Sequence, residues 1–357
     1  SPEGTKGISL FLVPKYLPDN SGNILSENNV VTISLEQKMG LHGSPTAVLE
    51  YNNAKAWLIG EENRGMGAMF TMMNNARLGV GVQGLSQSEL AVQKAFDYAN
   101  QRKQGRNLNS PQDGRTEIIN HADVRRNLLM MKSLTFVSRS LCFDTAISSD
   151  LAKINNDMEL HERVSFLTPI AKAFCTDVGC KVADLCIQVH GGIGYIEDAG
   201  ISQLYRDVRI TAIYEGTNGI QAMDLVGRKL GLDGHMGYKI MKEIMDSENL
   251  AASTYPELVE QVLKARENVT KALDWMVSQN DLNERFSGAG LFLNAFALLL
   301  GANYVLKSIL VSKDRRRKEL ADFYIFQILP YASVEASLSC QGSNHFFGAK
   351  RIFSDKT

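Results

Sequence analysis

The sequence predicts a mainly α-helical fold with a partial β-domain at its amino-terminal end. Strand-like patterns fill roughly the first 60 of the 357 residues, and long helical patterns follow over most of the remainder. Hydrophobic residues make up 44% of the chain and charged residues 22%, which is ordinary for a globular protein. A chain of this length can bury a sizeable core, divided between two or three domains.

The amino-terminal segment is predicted to form β-strands. β-branched and aromatic residues are concentrated at 7–14, 30–35 and 47–51, between Gly, Pro, Asn and Asp residues. Three strands are too few to close a stable barrel. We therefore expect residues 1–62 to be the carboxyl-terminal part of a larger β-domain whose first part is missing.

Helical spacing of apolar residues begins at Gly65 and continues to the end of the chain. A loop rich in Gly, Asn and Ser at 105–114 follows the first candidate helix, and a composition break at 231–234 separates a helical domain, 63–232, from an appended helical domain, 233–357. The candidate helices are 65–102, 121–149, 160–189 (with Pro169 as a candidate first residue), 219–230, 255–278, 285–312 and 315–338 (kinked at Pro330).

One uncharged segment, from Phe286 to Leu306, is long enough to span a bilayer, which takes about 20 residues. It contains Asn294 and Asn303 as well as glycines, and it lies among charged amphipathic helices. We therefore predict that it is the core helix of a bundle, with Asn294 facing a polar partner. No integral membrane segment is expected.

Charge and cysteine usage narrow the function classes. The net charge of −1 gives no support for a nucleic-acid surface or an anionic membrane, and the basic run at 315–318 (RRRK) is explained by a solvated helix start. The five cysteines form no CxxC pair and are odd in number, so buried thiols and a reducing compartment are expected. His190 has no second ligand at suitable spacing, and no metal site is predicted.

Three motifs could carry chemistry. Ile213–Thr217 (IYEGT) sets a carboxylate beside a glycine that another molecule could approach, or it is an ordinary glutamate at a helix start. Gln188–Tyr195 (QVHGGIGY) ends a helix in a turn that either offers N–H groups to a cofactor or forms a tight corner between helices. Gln101–Arg106 (QRKQGR) places cations at the carboxyl-terminal end of a helix, where they either stabilise the helix by interacting with its dipole or bind phosphate.

Taken together, in this order and at this spacing, the three motifs resemble the acyl-CoA dehydrogenase family. The resemblance covers residues 5–229, where 7–13 (GISLFLV) is similar to the family's middle β-domain and 74–77 (NNAR) to its substrate-binding helix. Residues 39–46 (MGLHGSPT) and 121–126 (HADVRR) are similar to a long-chain-length branch whose members carry an extra helical carboxyl-terminal domain. Some members of that branch act on 3-methylmercaptopropionyl-CoA.

The resemblance implies an acyl-CoA dehydrogenase-like four-helix bundle, followed by an appended carboxyl-terminal helical bundle. FAD would lie between the β-domain and the later helices. It also implies that the family's N-terminal helical domain is missing from this chain, so that the chain alone would be incomplete for activity.

The implied reaction is α,β-dehydrogenation of an acyl-CoA thioester to a trans-2-enoyl-CoA. Glu215 would remove the α-proton as general base while a hydride passes to the N5 atom of FAD, and the N–H group of Glu215 and a flavin hydroxyl would polarise the thioester carbonyl. The residues implied for the substrate are Asn74, Arg77, Tyr214 and Gly216. Those implied for FAD are Thr217 and Gly219 in the same subunit, and Arg102, Gln104, Gln188, Gly191 and Gly192 toward a neighbouring subunit's FAD.

Two departures from the family pattern weaken this transfer of roles. Gly105 and Arg106 stand where the family often has Phe-Gly, and Gly219 stands where many members have Gln, so a contact there would use the backbone. The expected partners are an acyl-CoA, an electron-transfer flavoprotein as electron acceptor, and further copies in a homodimer or a dimer of dimers. The resemblance implies fatty acid β-oxidation, in a bacterial cytoplasm or a mitochondrial matrix.

Two alternatives stay open at this point. An acyl-CoA oxidase-like enzyme would use the same glutamate and pass the electrons to oxygen. A non-dehydrogenase relative that binds nucleic acid is the other alternative, although the charge of the chain gives it little support.

Overall fold

The computed structural model describes residues 2–106, 114–349 and 352, apart from the side chain of Asn74. The chain divides into two compact units between Ala76 and Arg77. Strands dominate the first unit, and helices dominate the second. The predicted fold class, mainly α with a partial β-domain, is therefore confirmed. Most of the predicted loop at 105–114 lies outside the described residues, and the predicted domain boundaries at 62 and 232 stay predictions.

The first unit consists of three antiparallel strand pairs. β4 and β5 form at the positions predicted, whereas the first predicted strand is shorter than expected, and the sequence patterns missed three strands of three or four residues. The pairs are β1 (Leu10–Leu12) with β6 (Trp57–Ile59), β2 (Tyr16–Pro18) with β3 (Ile24–Glu27), and β4 (Val30–Leu35) with β5 (Ala47–Tyr51).

Asn28 is the polar residue that ties this unit together. Its side chain is 3% exposed, whereas nearly all the strand side chains of the unit are exposed. Its amide donates to the carbonyls of Pro14 and Lys55, each at 2.8 Å, and its oxygen accepts the N–H of Lys55 at 2.7 Å. One side chain therefore links three separate segments where little apolar surface is buried.

Two long helices of the second unit cross very closely. A side chain at Gly84 of α1 (Gly65–Gln101) would place its Cβ 2.4 Å from the carbonyl oxygen of Cys175 in α3 (Met158–His190). Gly179 of α3 has the Gly84 carbonyl 3.0 Å from its own Cβ position. Only glycine permits this approach, and it fixes the middle of α3 against α1.

Helix α3 starts earlier than Pro169, the residue marked as its candidate start. The Asp157 carboxylate accepts the N–H groups of Glu159 and Leu160, at 2.9 and 3.1 Å, and caps the helix at its true beginning. Pro169 lies inside the helix. The proposed start was wrong because residues 166–176 of α3 are buried, and this packing offsets the helical hydrogen bond that one proline removes.

The remaining helices of the second unit largely follow the sequence patterns. The single helix predicted at 315–338 is two helices, because the chain turns at residues 328–329 and Pro330 begins the second. The patterns missed the helices at 201–209, 235–251 and 344–347. The helices are α2 (Ala122–Asn155), α4 (Ile201–Arg209), α5 (Asn218–Asp224), α6 (His235–Ala251), α7 (Pro256–Ser278), α8 (Leu282–Val311), α9 (Arg315–Gln327), α10 (Pro330–Ser339) and α11 (Asn344–Phe347), with a hairpin of β7 (Lys103–Arg106) and β8 (Arg115–Glu117) after α1.

Helix α8 contains the uncharged segment and is packed inside the unit. Among the described helices it alone is apolar and long enough to cross a membrane, and 78% of its most apolar 18-residue stretch is buried. The Asn294 amide donates to the Glu335 carboxylate at 2.6 Å, as predicted. This burial favours the core helix, while the absence of a membrane segment stays a prediction.

Charged side chains join the helices that follow residue 232 to α2 and α3. The Arg163 guanidinium donates to the carboxylates of Asp144 and Glu243, at 2.9 and 2.8 Å, and the Tyr304 hydroxyl donates to Asp144 at 2.7 Å. Arg285, which is 5% exposed, donates to three backbone carbonyls, including that of Val226 at 3.2 Å. The appended helices are therefore fixed to the preceding bundle by paired groups as well as by apolar packing.

The packing of α8 predicts unequal effects for two glycine substitutions on the same helix. At Gly301 a Cβ would lie 2.1 Å from the Tyr324 hydroxyl, whereas at Gly290 nothing lies within 4 Å. Gly301→Ala should therefore lower the free energy of unfolding by about 1–3 kcal/mol or more. Gly290→Ala should leave it unchanged or raise it by up to about 1 kcal/mol. Urea denaturation of the full-length protein checks both, and equal effects would show that α8 is not packed in this way.

Candidate functional site

The turn before α5 has an unusual backbone. Glu215 has φ +57° and Gly216 has φ +86°, so two consecutive residues are left-handed. This conformation costs a residue with a side chain about 1–2 kcal/mol, and glycine very little. A Cβ at Gly216 would also lie 2.8 Å from the Gln221 amide. The IYEGT motif thus needs its glycine, and the strain at Glu215 must be offset by other contacts.

Two buried side chains bind the carbonyl groups of this turn. The Gln221 amide donates to the Glu215 carbonyl at 3.0 Å, and the Lys172 ammonium donates to the Gly216 carbonyl at 2.8 Å. The ammonium also donates to the Asn218 side-chain oxygen at 2.9 Å. Lys172 and Gln221 are both 0% exposed. The carbonyl side of the turn is therefore fixed from inside the protein.

Several polar groups of the turn have no partner among the described residues. Glu215 is half-buried, and its carboxylate accepts no hydrogen bond from any described residue. The N–H groups of Glu215, Gly216 and Thr217 have no acceptor among the described residues. The Thr217 hydroxyl accepts the N–H of Ile220 at 3.3 Å. A carboxylate and free N–H donors at one turn can bind a carbonyl group and remove a proton next to it.

The pKa of Lys172 is lowered to about 8, mainly because the ammonium is buried and in part because of the positive charge of Arg77. The negative charges of Asp177 and Glu215 oppose this shift. Within the described residues no carboxylate lies at ion-pair distance from the ammonium, whose partners are neutral oxygens. Lys172 therefore places a poorly solvated positive charge on the inner side of the Glu215 turn.

Arg77 of α1 is buried and pairs with a residue of α5, the helix that follows the Glu215 turn. Its guanidinium pairs with the Asp224 carboxylate at 3.1 Å, its Nε has no described partner, and Arg228 donates to the other Asp224 oxygen at 2.6 Å. Its predicted contact with the CoA part of a substrate stays a prediction, and this ion pair is its partner within the chain. Asn74 lies in α1 within the first unit, and its side chain is outside the described part of the structure.

Tyr214, the residue before the glutamate, is anchored to α1. Its hydroxyl donates to the side-chain oxygen of Gln83, and burial raises the pKa of the hydroxyl. Tyr214 is therefore a neutral, half-buried group at neutral pH. Its predicted role in substrate binding is compatible with this position and stays a prediction.

The structure brings the other predicted cofactor residues together at the carboxyl-terminal ends of α1 and α3. The ring of Tyr98 stacks on that of His190 at 4.4 Å, and the N–H of Arg102 donates to the Tyr98 carbonyl at 2.8 Å. Gln188 is exposed at the end of α3, and Gly191 follows with φ +63°. We call this group (Arg102, Gln104, Gln188, Gly191 and Gly192) the helix-end cluster.

The helix-end cluster leaves its glycines open. Nothing lies within 4 Å of a Cβ position at Gly191 or Gly192, so the backbone there can be approached closely. His190 is buried, and burial lowers its pKa, so the ring is neutral at neutral pH and its Nδ1 donates to the Cys186 carbonyl at 2.8 Å. His190 thus orders the turn. The described residues contain no group of three or more His, Cys, Asp or Glu side chains suited to a metal, and the absence of a metal site stays a prediction.

The helix-end cluster and the Glu215 turn lie at different places along α3. Lys172 contacts the turn and His190 lies beside the cluster, and these residues are about 27 Å apart along α3 at 1.5 Å per residue. Thr217 caps α5 at the end of the turn, and Gly219 lies in the first turn of that helix. The predicted cofactor residues therefore form two separate groups rather than one site.

Sequence reasoning missed the residues that hold the turn. These are Lys172, Gln221 and Asn218, together with Asp224 as the partner of Arg77. One signal was present, because Lys172 is the single charge in the apolar run 166–175 of a helix. A charged residue in such an apolar run is either buried with a polar partner or lies where the helix faces a polar group.

Residues 63–230 match the family described as acyl-CoA dehydrogenase, C-terminal domain. Through this domain the chain belongs to the acyl-CoA dehydrogenase family, and the resemblance found in the motifs is confirmed. The chain is 40% identical to a 3-methylmercaptopropionyl-CoA dehydrogenase of Ruegeria pomeroyi, over 82% of this chain and 51% of that protein. It is 35% identical to a butyryl-CoA dehydrogenase of Syntrophomonas wolfei, over 68% and 42% of the two chains. The chain thus spans about half the length of these curated relatives, or less.

Two solved structures share the fold. Caenorhabditis elegans ACDH-11, in complex with C11-CoA, superposes with a TM-score of 0.81 at 22% identity, over 99% of this chain and 58% of that one. An acyl-CoA dehydrogenase from Bacillus anthracis, complexed with FAD, has a TM-score of 0.62 at 18% identity, over 97% and 64%. These likenesses confirm the predicted fold, a four-helix bundle of this family followed by an appended helical bundle.

Proposed function

We propose that the full-length protein is an FAD-dependent acyl-CoA dehydrogenase in which Glu215 is the general base. The observation that carries this proposal is the Glu215 turn, where a half-buried carboxylate and unpaired N–H groups stand together on a backbone held from inside. The family of the chain and its likeness to named acyl-CoA dehydrogenases support the same reaction. The product would be a trans-2-enoyl-CoA.

Proton removal by Glu215 depends on the groups around it. A proton next to a thioester is normally too weakly acidic for a carboxylate, so the thioester carbonyl must be polarised as the proton leaves. The N–H of Glu215, which has no acceptor among the described residues, would donate to that oxygen. The partial burial of Glu215 limits the water that would compete for both groups.

FAD, when bound, would supply the electron acceptor for the β-hydrogen, which leaves as a hydride. The residues fit such a group at two places, because Gly191 and Gly192 are open to a close approach and Thr217 has an unpaired N–H. Thr217 and Gly219 would contact the FAD of the same subunit. The helix-end cluster would contact the FAD of a neighbouring subunit, with Arg102 available to a phosphate because it is exposed and has no described ion-pair partner.

An electron-transfer flavoprotein is the proposed acceptor of the electrons, as the resemblance to the family implies. The oxidase alternative differs only in that step, and rapid reaction of the reduced flavin with oxygen would favour it. The basic run at 315–318 gives no support to nucleic-acid binding, since Arg315, Arg316 and Lys318 pair with Glu319, Asp314 and Asp322. This pairing supports a solvated helix start.

The separation of the two cofactor groups predicts an oligomer. If the helix-end cluster serves a neighbouring subunit's FAD, the full-length protein should be a dimer or a dimer of dimers. Arg102→Ala should then lower the FAD content, while the exposed Arg315→Ala should not. Sedimentation followed at flavin absorbance checks both, and a monomer that retains FAD at micromolar concentration would contradict the proposal.

The role of Glu215 predicts the effect of removing its charge. Glu215→Gln should retain FAD, because its neighbours are unchanged, but should reduce the rate of flavin reduction by acyl-CoA at least 10²–10⁴-fold, about the contribution of general-base catalysis. Glu215→Asp should be intermediate or poor, since it withdraws the carboxylate by about one bond. Glu260→Gln, at an exposed position of α7, is the matched control.

The measurement is the anaerobic loss of oxidised-flavin absorbance as each acyl-CoA of a chain-length panel is added. The panel also identifies the preferred acyl group. Bleaching of Glu215→Gln at the wild-type rate would show that Glu215 is not the base, and the family membership would then stand for the fold alone.

A further inference from the structure

Lys172 occupies a position where a cation is costly. It is fully buried in the middle of α3, and its ammonium is bound by the Gly216 carbonyl and the Asn218 side-chain oxygen. Neither partner carries a charge, and within the described part of the chain no carboxylate is within ion-pair distance of it. Buried lysines are normally paired with an acid, so this arrangement needs a reason beyond packing.

The acceptors of Lys172 are themselves held in place. The Asn218 amide donates to the carbonyl of Ala173 at 3.2 Å, to the Thr176 hydroxyl at 3.0 Å and to the Asp177 carboxylate at 2.7 Å. The two hydrogens of the amide are shared among these three acceptors, which directs the amide oxygen toward Lys172. The ammonium therefore meets two fixed acceptors, one of which is the backbone of the Glu215 turn.

We propose that Lys172 is a positioning residue for Glu215. Together with Gln221 it binds the two carbonyls of the turn, and these bonds hold Glu215 in its left-handed conformation, with the carboxylate and the N–H groups on the substrate side. The ammonium also polarises the peptide unit that ends in the unpaired N–H of Thr217, which makes that N–H a stronger donor. This inference rests on the proposed role of Glu215 as the base.

The test is Lys172→Met in the full-length protein, because methionine has a similar length and no donor. The rate constant of flavin reduction at saturating acyl-CoA should fall about 10²-fold, as expected for a small displacement of a catalytic group. The dissociation constant for acyl-CoA should change much less, since Lys172 is buried and does not reach the substrate. Lys181→Met, at an exposed position of the same helix, should behave as the wild type.

A second variant covers the case in which Lys172→Met does not fold. Gln221→Met removes the other bond to the turn, and it should give the same loss of rate with little change in acyl-CoA affinity. A wild-type rate of reduction in either folded variant would overturn the proposal. A wild-type protein that binds FAD but is reduced by no acyl-CoA would instead contradict the proposed function, so the two failures are distinguishable.

The burial of the Lys172 ammonium also predicts how the stability of the protein depends on pH, which can be measured without substrate. The pKa of Lys172 is lowered to about 8 in the folded protein by burial, so between this value and the ordinary lysine pKa of 10.5 the unfolded chain binds a proton that the folded one does not. Stability should therefore rise with pH across this interval. Arg77, Asp177 and Glu215 are the charged groups that act on Lys172.

The pH-dependent rise should be larger in the wild type than in Lys172→Met, in which this lysine is absent. The measurement is the urea midpoint at pH 8 and at pH 10 for both proteins and for Lys181→Met. Equal pH dependence in the wild type and Lys172→Met would show that no buried ammonium lies under the turn, and it would overturn the proposal.

Discussion

The hydrogen bonds from Lys172 and Gln221 to the carbonyls of the Glu215 turn determine what this site can do. They offset the cost of a left-handed glutamate, whose carboxylate and N–H have no partner among the described residues. Each depends on packing elsewhere, because Lys172 reaches the turn from a segment of α3 that Gly84 brings against α1. The geometry of one turn is thus fixed by the contact between two long helices.

The helices that follow residue 232 contribute to the same arrangement from the other side. Helix α5 continues into a π-helical turn, Leu225–Lys229, and Arg285 of α8 donates to the Val226 carbonyl within it. Asp224, at the junction, binds Arg77 and Arg228. A π-helical turn often marks a functional segment, and here the appended bundle satisfies one of its carbonyls. The appended helices therefore support the helix that begins at the proposed catalytic turn.

Much of the fold could be predicted from the sequence. Periodicity located the long helices α1, α2, α3, α7 and α8, and the uncharged segment of α8 was correctly expected to pack with Asn294 against a polar group. It missed α4, which is short, and α6, and it merged α9 with α10 because their apolar spacing continues through Pro330. The short strands of the first unit were missed because their runs of three or four residues are too brief to establish an alternation.

The site was predictable at the level of motifs and not at the level of contacts. The glutamate, its glycine and the cap at Thr217 are consecutive in sequence, so the IYEGT motif identifies them together. Lys172 and Arg77 come from distant helices, and only the packing shows that one holds the turn and the other is bound by Asp224. Sequence spacing alone cannot show which buried charge meets which backbone group.

The central claim is that the Glu215 turn faces the reacting carbon of an acyl-CoA. The most direct measurement is a crystal structure of the full-length protein with FAD and an acyl-CoA analogue that cannot be oxidised. The account predicts a Glu215 carboxylate oxygen about 3–3.5 Å from the α-carbon, with the Glu215 N–H within hydrogen-bond distance of the thioester oxygen and Lys172 still bound to the Gly216 carbonyl. An analogue bound with its thioester away from this turn, or a turn that reverses its carbonyls on binding, would contradict it.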